Sequence, residues 1–416
     1  MNDRAQKNNL VRSIKDKDFA GLELACVDMQ NMDMSGADFT GANLSGAYLG
    51  GADFSNANLT DTNLTGASFL HINSQVTADT EQSGVIAPRK PVNFKGAILD
   101  GSDMEGADLT KVDLTGASLV STNLNNANLT AAIFRNARMA GASMKSAHLE
   151  RTDFFFANLT GAMLQGSYVG QAAFYHAKLI NVRFEGCFNK KGCKSETGVT
   201  CILEGADLTD ANLSHLDLTK SSVNTATKFT NANLSNAVLR KMSLKDVSFE
   251  GADLDSADFT EANLTGANFE STNLDQATFD GANLFDTDFT GAMLNNVDMR
   301  GCDLEHAVFR GCDAYWSNMS GAKFIDADLS GGDFNEVDFT GADFTGAIVR
   351  NAKMTDTTLN EAILVDCDFR GTNLDGATMH DCTIDGMRLD ETMLDGIDID
   401  AEGMALLLKN GGIRKS

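Results

Sequence analysis

The sequence predicts an all-β solenoid, a chain wound with four short sides per turn. Three observations carry this. Phe229, Phe249, Phe269, Phe289 and Phe309 stand twenty residues apart. Within that interval almost every fifth residue is Leu, Phe or Met, preceded at two positions by a small residue, from Phe19 to Ile399. A helix needs an apolar period near 3.6 and a strand a period of 2, so a sustained period of five fits neither; a short extended piece followed by a turn, repeated, does fit.

Taken in order, residues 1–16 precede the beat and form an N-terminal cap in which Leu10, Val11 and Ile14 can plug the first coil. Central residues then run in phase over 17–71. Over 72–91 the positions due to be central are Ser74, Asp79, Gly84 and Arg89, and both prolines of the chain, Pro88 and Pro91, fall here. That segment is expected to project as a loop. The coil resumes in the same phase over 92–186. A second interruption, 187–200, is basic and holds Cys187 and Cys193, with Cys201 just beyond, a spacing that permits a disulfide or part of a metal site. An acidic coil follows over 201–399, with one extra residue between Val223 and Phe229 that a bulge would absorb. Residues 400–416 carry Met404, Leu406, Leu407 and Leu408 before Gly411-Gly412, which reads as a short capping helix with a glycine stop, or as a homodimer contact.

In such a coil the central side chain and the small residue two before it point inward. All but four of the 25 phenylalanines are central, the exceptions being Phe155, Phe156, Phe188 and Phe285. The small residue is needed because the sides converge on a narrow axis, where a larger group would overpack at roughly 1–3 kcal/mol. Cys187, Cys302, Cys312, Cys367 and Cys382 take that position and read as slightly larger alanines.

Ala42-Asn43-Leu44, Ala52-Asp53-Phe54, Ala107-Asp108-Leu109, Ala206-Asp207-Leu208, Ala262-Asn263-Leu264 and Ala342-Asp343-Phe344 resemble the A(D/N)LXX pattern of the pentapeptide-repeat family. The resemblance covers most of residues 17–401 and implies a right-handed quadrilateral β-helix of roughly seventeen coils, about 80 Å long at strand spacing. It does not select a function, because one fold hosts many roles.

The six histidines are scattered, and no HExxH, GxxxxGK[ST], dinucleotide fingerprint or nucleophile elbow occurs. The expectation is a protein without catalytic activity or cofactor. No apolar run reaches membrane length and no signal peptide is evident, so a cytoplasmic protein that does not engage membranes is expected, export without a cleavable signal being compatible. Residues 203–399 hold 36 acidic and 12 basic side chains, against 17 and 13 in residues 21–202. Direct nucleic-acid binding is therefore disfavoured.

Two function classes remain. The first is a rigid protein-binding scaffold, an effector or adaptor. Stacking every twenty residues aligns Arg135, Phe155 and Tyr175 on one outward line and His148, Tyr168 and Phe188 on another, with Phe156 and His176 beside the first. Exposed aromatics on a polar surface mark protein contacts, unless the loop near Lys190 folds back over them. Tyr315 and Trp316 form a second outward pair next to Ala314, where the indole either binds a partner or covers the defect that a small central residue leaves. The second class, implied by the resemblance, is a DNA mimic that binds DNA gyrase and protects it from quinolones. The acidic half carries about one net charge per 2 Å of coil axis, near the value for duplex DNA. Asp253, Asp255, Asp258, Asp333 and Asp338 are the candidates, although the charge is spread around the coil and Arg310, Arg350 and Arg370 lie on its least acidic side.

Overall fold

The computed structural model describes residues 2–69, 91–188 and 199–410. The chain falls into two compact units, residues 1–211 with 220–222, and residues 212–219 with 223–416. In each, parallel pairings link residues one coil apart, as in unit 2 along Asp253, Asn273, Met293, Asp313, Asp333, Lys353, Asn373 and Met393. Twenty residues and four sides make one coil, the right-handed quadrilateral β-helix. Most sides contribute one paired residue, the one before the central residue; β1 (Ile363–Val365) and β2 (Thr383–Asp385) are longer and pair in parallel with Leu364 opposite Ile384.

The side around Leu254 shows where the five backbone N–H groups of a repeat go. Asp253 donates to Ala232 O in the preceding coil, Leu254 to Asn273 O and Ser256 to Asp275 O in the next, and Ala257 closes the turn on Leu254 O. The fifth, on the residue after the central one, has no backbone acceptor in the ladder. The Asp or Asn before the central residue supplies one: Thr260 N donates to Asp258 Oδ1 at 3.0 Å, Thr265 N to Asn263 Oδ1 at 3.2 Å and Thr340 N to Asp338 Oδ1 at 2.9 Å. Where Asp or Asn fills position two of the A(D/N)LXX pattern it thus meets a hydrogen-bond need of the turn, since an unpaired backbone donor is costly. The turn's third residue has positive φ, the type II geometry, and is Gly or most often Asn, Asp, Ser or Glu, with no β-branched residue among those at positive φ.

Central residues form vertical stacks. In unit 2 the rings of Phe229, Phe249, Phe269, Phe289 and Phe309 follow one another at 5.1, 5.1, 5.3 and 4.7 Å, nearly parallel. In unit 1 Phe134, Phe154 and Phe174 do the same at 5.3 and 4.9 Å. The small position tolerates Thr, Ser and Cys because each can donate to the central carbonyl of the coil before: Thr122 Oγ1 to Leu99 O at 2.7 Å, Cys302 Sγ to Phe279 O at 3.3 Å and Cys187 Sγ to Leu164 O at 3.1 Å.

Several expectations shift. Residues 72–90 of the first interruption and Cys193 of the second lie outside the described residues. The second interruption is narrower than 187–200, because Phe188 still pairs with Tyr168, Cys187 is buried, and Gln171 N donates to Thr200 O at 2.6 Å. Cys187 and Cys201 are both buried free thiols. The extra residue near Val223 lengthens a side: the turn moves on by one, and Thr227 N closes on Asn224 O at 2.9 Å.

The N-terminal cap is a helix, α1 (Asn2–Ser13), in which Val11 is buried and Leu10 is exposed, so only part of the expected plug points inward. Asn8 Oδ1 accepts from Asp28 N at 2.8 Å, and Arg4 lies over the Tyr48 ring at 4.3 Å and pairs with Asp28. At the other end α2 (Ala401–Lys409) begins at Asp400, whose side chain accepts from Gly403 N at 2.7 Å, and buries Leu407 while Leu408 faces out. Both helices cover coil ends that would otherwise present unpaired edges. Gly411 and Gly412 lie outside the described residues.

Candidate protein-interaction site

The aromatic residues of unit 1 separate into two ladders. At one corner Phe155 stacks on Tyr175 at 5.8 Å and Phe156 on His176 at 5.1 Å, while Phe155 meets Phe156 edge-on at 4.5 Å and Tyr175 meets His176 edge-on at 4.6 Å. Arg135 lies over Phe155 at 5.9 Å and is oriented by Asp153 at 2.6 Å. Below, a Cβ on Gly205 would come within 2.3 Å of His176 Nδ1, so the glycine lets the imidazole lie flat against the next coil. The other ladder is His148 on Tyr168 at 4.7 Å and Tyr168 on Phe188 at 6.0 Å, with His148 Nδ1 3.5 Å from Glu150. No ring contact joins the two among the described residues. A whole side, the one carrying Asp153 and Phe154, lies between them, so the candidates of residues 148–188 make two surfaces rather than one.

The first ladder is the better built. Phe156 is 52% exposed and adopts φ of +54°, a conformation in which bulky side chains are uncommon. Alongside the corner, on the next side, Arg138 and Lys178 carry no ion pair among the described residues. Residues 131–183 hold six basic and two acidic side chains, a local reversal of the chain's sign.

The acidic candidates have structural work to do. Asp253, Asp258, Asp333 and Asp338 each accept the N–H two residues on. Asp258 also pairs with Arg240, Asp333 with Lys353 at 2.9 Å, and Asp253 accepts from Asn273 Nδ2 at 2.9 Å. The Thr260 hydroxyl and amide and the Arg240 guanidinium outweigh partial burial and hold the Asp258 carboxyl below the ordinary range. Asp255 accepts from Ser256 Oγ at 3.3 Å.

Ala314 is fully buried, and the ring of Phe334, its neighbour one coil on, extends to within 2.5 Å of where a Gly332 Cβ would stand. The Trp316 indole is 58% exposed.

Residues 42–73, 92–188, 201–224 and 322–390 match the family model described as pentapeptide repeats (8 copies), and residues 225–309 match the one described as pentapeptide repeat region. The chain is a pentapeptide-repeat protein. Among solved structures it is similar to a trypsin-treated variant of QnrB1, a plasmid-mediated fluoroquinolone resistance protein, at 18% identity over 53% of this chain and 100% of that one, with a TM-score of 0.36. It is similar also to HetL, involved in heterocyst differentiation regulation in Nostoc sp. strain PCC 7120, at 21% identity over 79% and 95% with a TM-score of 0.19. A third is Rfr23 from Cyanothece 51142, at 22% identity over 44% and 88% with a TM-score of 0.18. No curated protein matches the sequence.

Among the described residues of this pentapeptide-repeat protein, no group of three His, Cys, Asp or Glu side chains is placed to hold a metal ion, and no helix is long and apolar enough to cross a membrane.

Sequence reasoning passed over one centre. Asp368 accepts from Arg350 Nε at 2.7 Å and from Arg370 Nε and Nη2 at 2.8 and 2.7 Å, with Arg388 3.5 Å away. The signal was available: a basic residue at i with Asp at i+18 pairs across coils at Lys95–Asp113, Arg135–Asp153, Arg310–Asp328 and Arg350–Asp368.

Proposed function

We propose that this pentapeptide-repeat protein is a non-catalytic, rigid, intracellular scaffold that binds a partner protein through the corner formed by Phe155, Phe156, Tyr175 and His176. One observation carries the reading: a four-ring cluster, flanked by Arg135, Arg138 and Lys178, with Phe156 held outward in a left-handed turn position. Rigid aromatics with adjacent arginine are the side chains that dominate interface energetics. The coil supplies rigidity, because the backbone under the rings is tied to the next coil: Phe156 N donates to Tyr175 O and His176 N to Glu204 O, each at 3.1 Å.

The runner-up is charge mimicry of DNA by unit 2, directed at gyrase; the 36 acidic against 12 basic side chains of residues 203–399 favour it. One experiment separates the two. Partner capture is compared for Phe155→Ala with Tyr175→Ala and for a variant with Asp253, Asp255, Asp258, Asp333 and Asp338 all changed to Asn. The scaffold reading expects capture to fail in the first and survive in the second, with weak salt dependence. Loss only in the Asn variant, with steep salt dependence, replaces it by mimicry.

A further inference from the structure

Tyr315 and Trp316 occupy a corner of unit 2, and a single carboxylate in the next coil accepts both of their polar hydrogens: Tyr315 Oη is 2.5 Å and Trp316 Nε1 2.7 Å from Glu336. The rings lie 4.4 Å apart and are inclined by 53°. Since their donors are spent on Glu336, the pair offers a ligand π surface, chiefly the exposed face of the indole. The two ring donors keep the Glu336 carboxyl below its ordinary range, so it is charged at neutral pH.

A second carboxylate, Asp313, precedes Tyr315 by two residues in the same coil. Elsewhere the Asp at this position takes the N–H two residues on, but Tyr315 N donates instead to Asn295 Oδ1 at 2.9 Å. Asp313 is thereby released; it is exposed and has no ion pair among the described residues. Asp333 and Asp356 are near enough to raise the Tyr315 hydroxyl further, and the nearby Lys353 is taken by Asp333. Trp316 holds φ of +59°, where this chain elsewhere prefers Gly or a short polar residue. A negative ring face next to uncommitted carboxylate complements a flat, weakly hydrated cation.

We propose that Trp316, Tyr315, Glu336 and Asp313 form a receptor for an arginine side chain presented by a basic segment of a partner protein. The guanidinium stacks on the indole and donates to Asp313, and Glu336 fixes the ring pair in the receptive orientation. None of these residues belongs to the unit 1 corner, so the two sites stand or fall separately.

Trp316 is the only tryptophan in the chain, so its emission reports on this corner alone. The full chain is titrated with a hexa-arginine peptide at about 0.15 M salt, where diffuse attraction is screened within about 8 Å. Expected is a saturable change in emission, with the apparent Kd rising about fivefold to tenfold in Asp313→Asn and in Glu336→Gln. Glu270→Gln, the same loss of charge elsewhere on the unit, should leave it within about twofold. Asp313→Asn touches neither ring, so its effect cannot come from ring disorder. An unsaturating response, no response, or equal weakening in all three variants overturns the proposal.

Discussion

Replacing Gly332 by alanine, the residue most coils carry at that position, should destabilise unit 2 although it restores the consensus. Gly332 does not have positive φ, so conformational freedom is not why it is glycine. An added Cβ would stand 2.5 Å from Cε2 and 3.0 Å from Cζ of Phe334, and 3.3 Å from Phe309 O. The Phe334 ring is fully buried and is hemmed in by Phe309 at 6.4 Å and Phe339 at 5.9 Å, so it cannot swing clear. Overpacking of this kind costs about 1–3 kcal/mol. Alanine recovers about 0.4–1 kcal/mol by restricting the unfolded chain. The balance is a net loss of about 1–2 kcal/mol, or a fall of roughly 2–8 °C in Tm for a unit of this size.

The assay is urea and thermal unfolding followed by Trp316 emission, which reports from the coil before Gly332. Two further variants make the cause identifiable. In a Phe334→Leu background the penalty of Gly332→Ala should vanish, because the two share one space. Gly331→Ala, next door, has φ of +68° and nothing within 4 Å, so its cost comes from the left-handed backbone and should be the same with or without Phe334. An unchanged or raised midpoint for Gly332→Ala, or a penalty that persists beside Leu at 334, refutes the packing argument.

Asp368 and the thiols give two more predictions. Hydrogen bonds from Arg370, then Arg350, hold the Asp368 carboxyl far below the ordinary range. A lowered folded pKa means that its contribution is present in full above the unfolded value, about 3.9, and is lost as pH falls through the folded pKa. Asp368→Asn should therefore cost about 1–2 kcal/mol at pH 7, the arginines being partly exposed, and the gap from wild type in urea midpoint should shrink below about pH 4; a gap that stays constant to pH 3 contradicts it. Burial pushes the Cys302 and Cys367 thiols up to about 12, whereas Cys26 is exposed. Iodoacetamide at pH 8 should alkylate Cys26 in the folded protein and reach Cys302 and Cys367 only after unfolding, as read by peptide mass mapping; equal rates would show the interior to be open.

The period carried most of the architecture into view, because a five-residue beat leaves one geometry in which every central residue is internal. It located the Phe249 column, the inward cysteines and the misfit near Val223. It did not reveal why the pattern asks for Asp or Asn, since that follows from which N–H the ladder leaves over. Nor did it divide the aromatic candidates. Arg135, Phe155 and Tyr175 share a line, as do His148, Tyr168 and Phe188, but the side between the two lines emerges only when corners are counted around the coil. The Trp316 corner was visible as an exposed indole, while its partner Glu336 lies twenty residues on and needed the stack to be seen. The end of the second interruption was blurred because Asn189 is a poor central residue while Phe188, just before it, still pairs.

The hydrogen-bond role of the second repeat position changes how the acidity of unit 2 should be weighed. Asn performs the same task as Asp there: Asn263 and Asn318 accept the N–H two residues on at 3.2 and 3.1 Å, as Asp338 does at 2.9 Å. Where the position takes that bond, the fold uses the oxygen and is indifferent to the charge. Stacking Asp on Asp, as at Asp313 and Asp333, brings like charges to about strand spacing, where repulsion is about 1 kcal/mol even at the dielectric of water. A neutral alternative was open at each such site. The acid excess is then a property added to the coil rather than one that comes with it, and it is offset where Lys353, Arg310 or Arg350 reaches a carboxylate and left bare at Asp313. Bare carboxylate next to a committed ring pair is what distinguishes the Trp316 corner from the rest of an acidic surface.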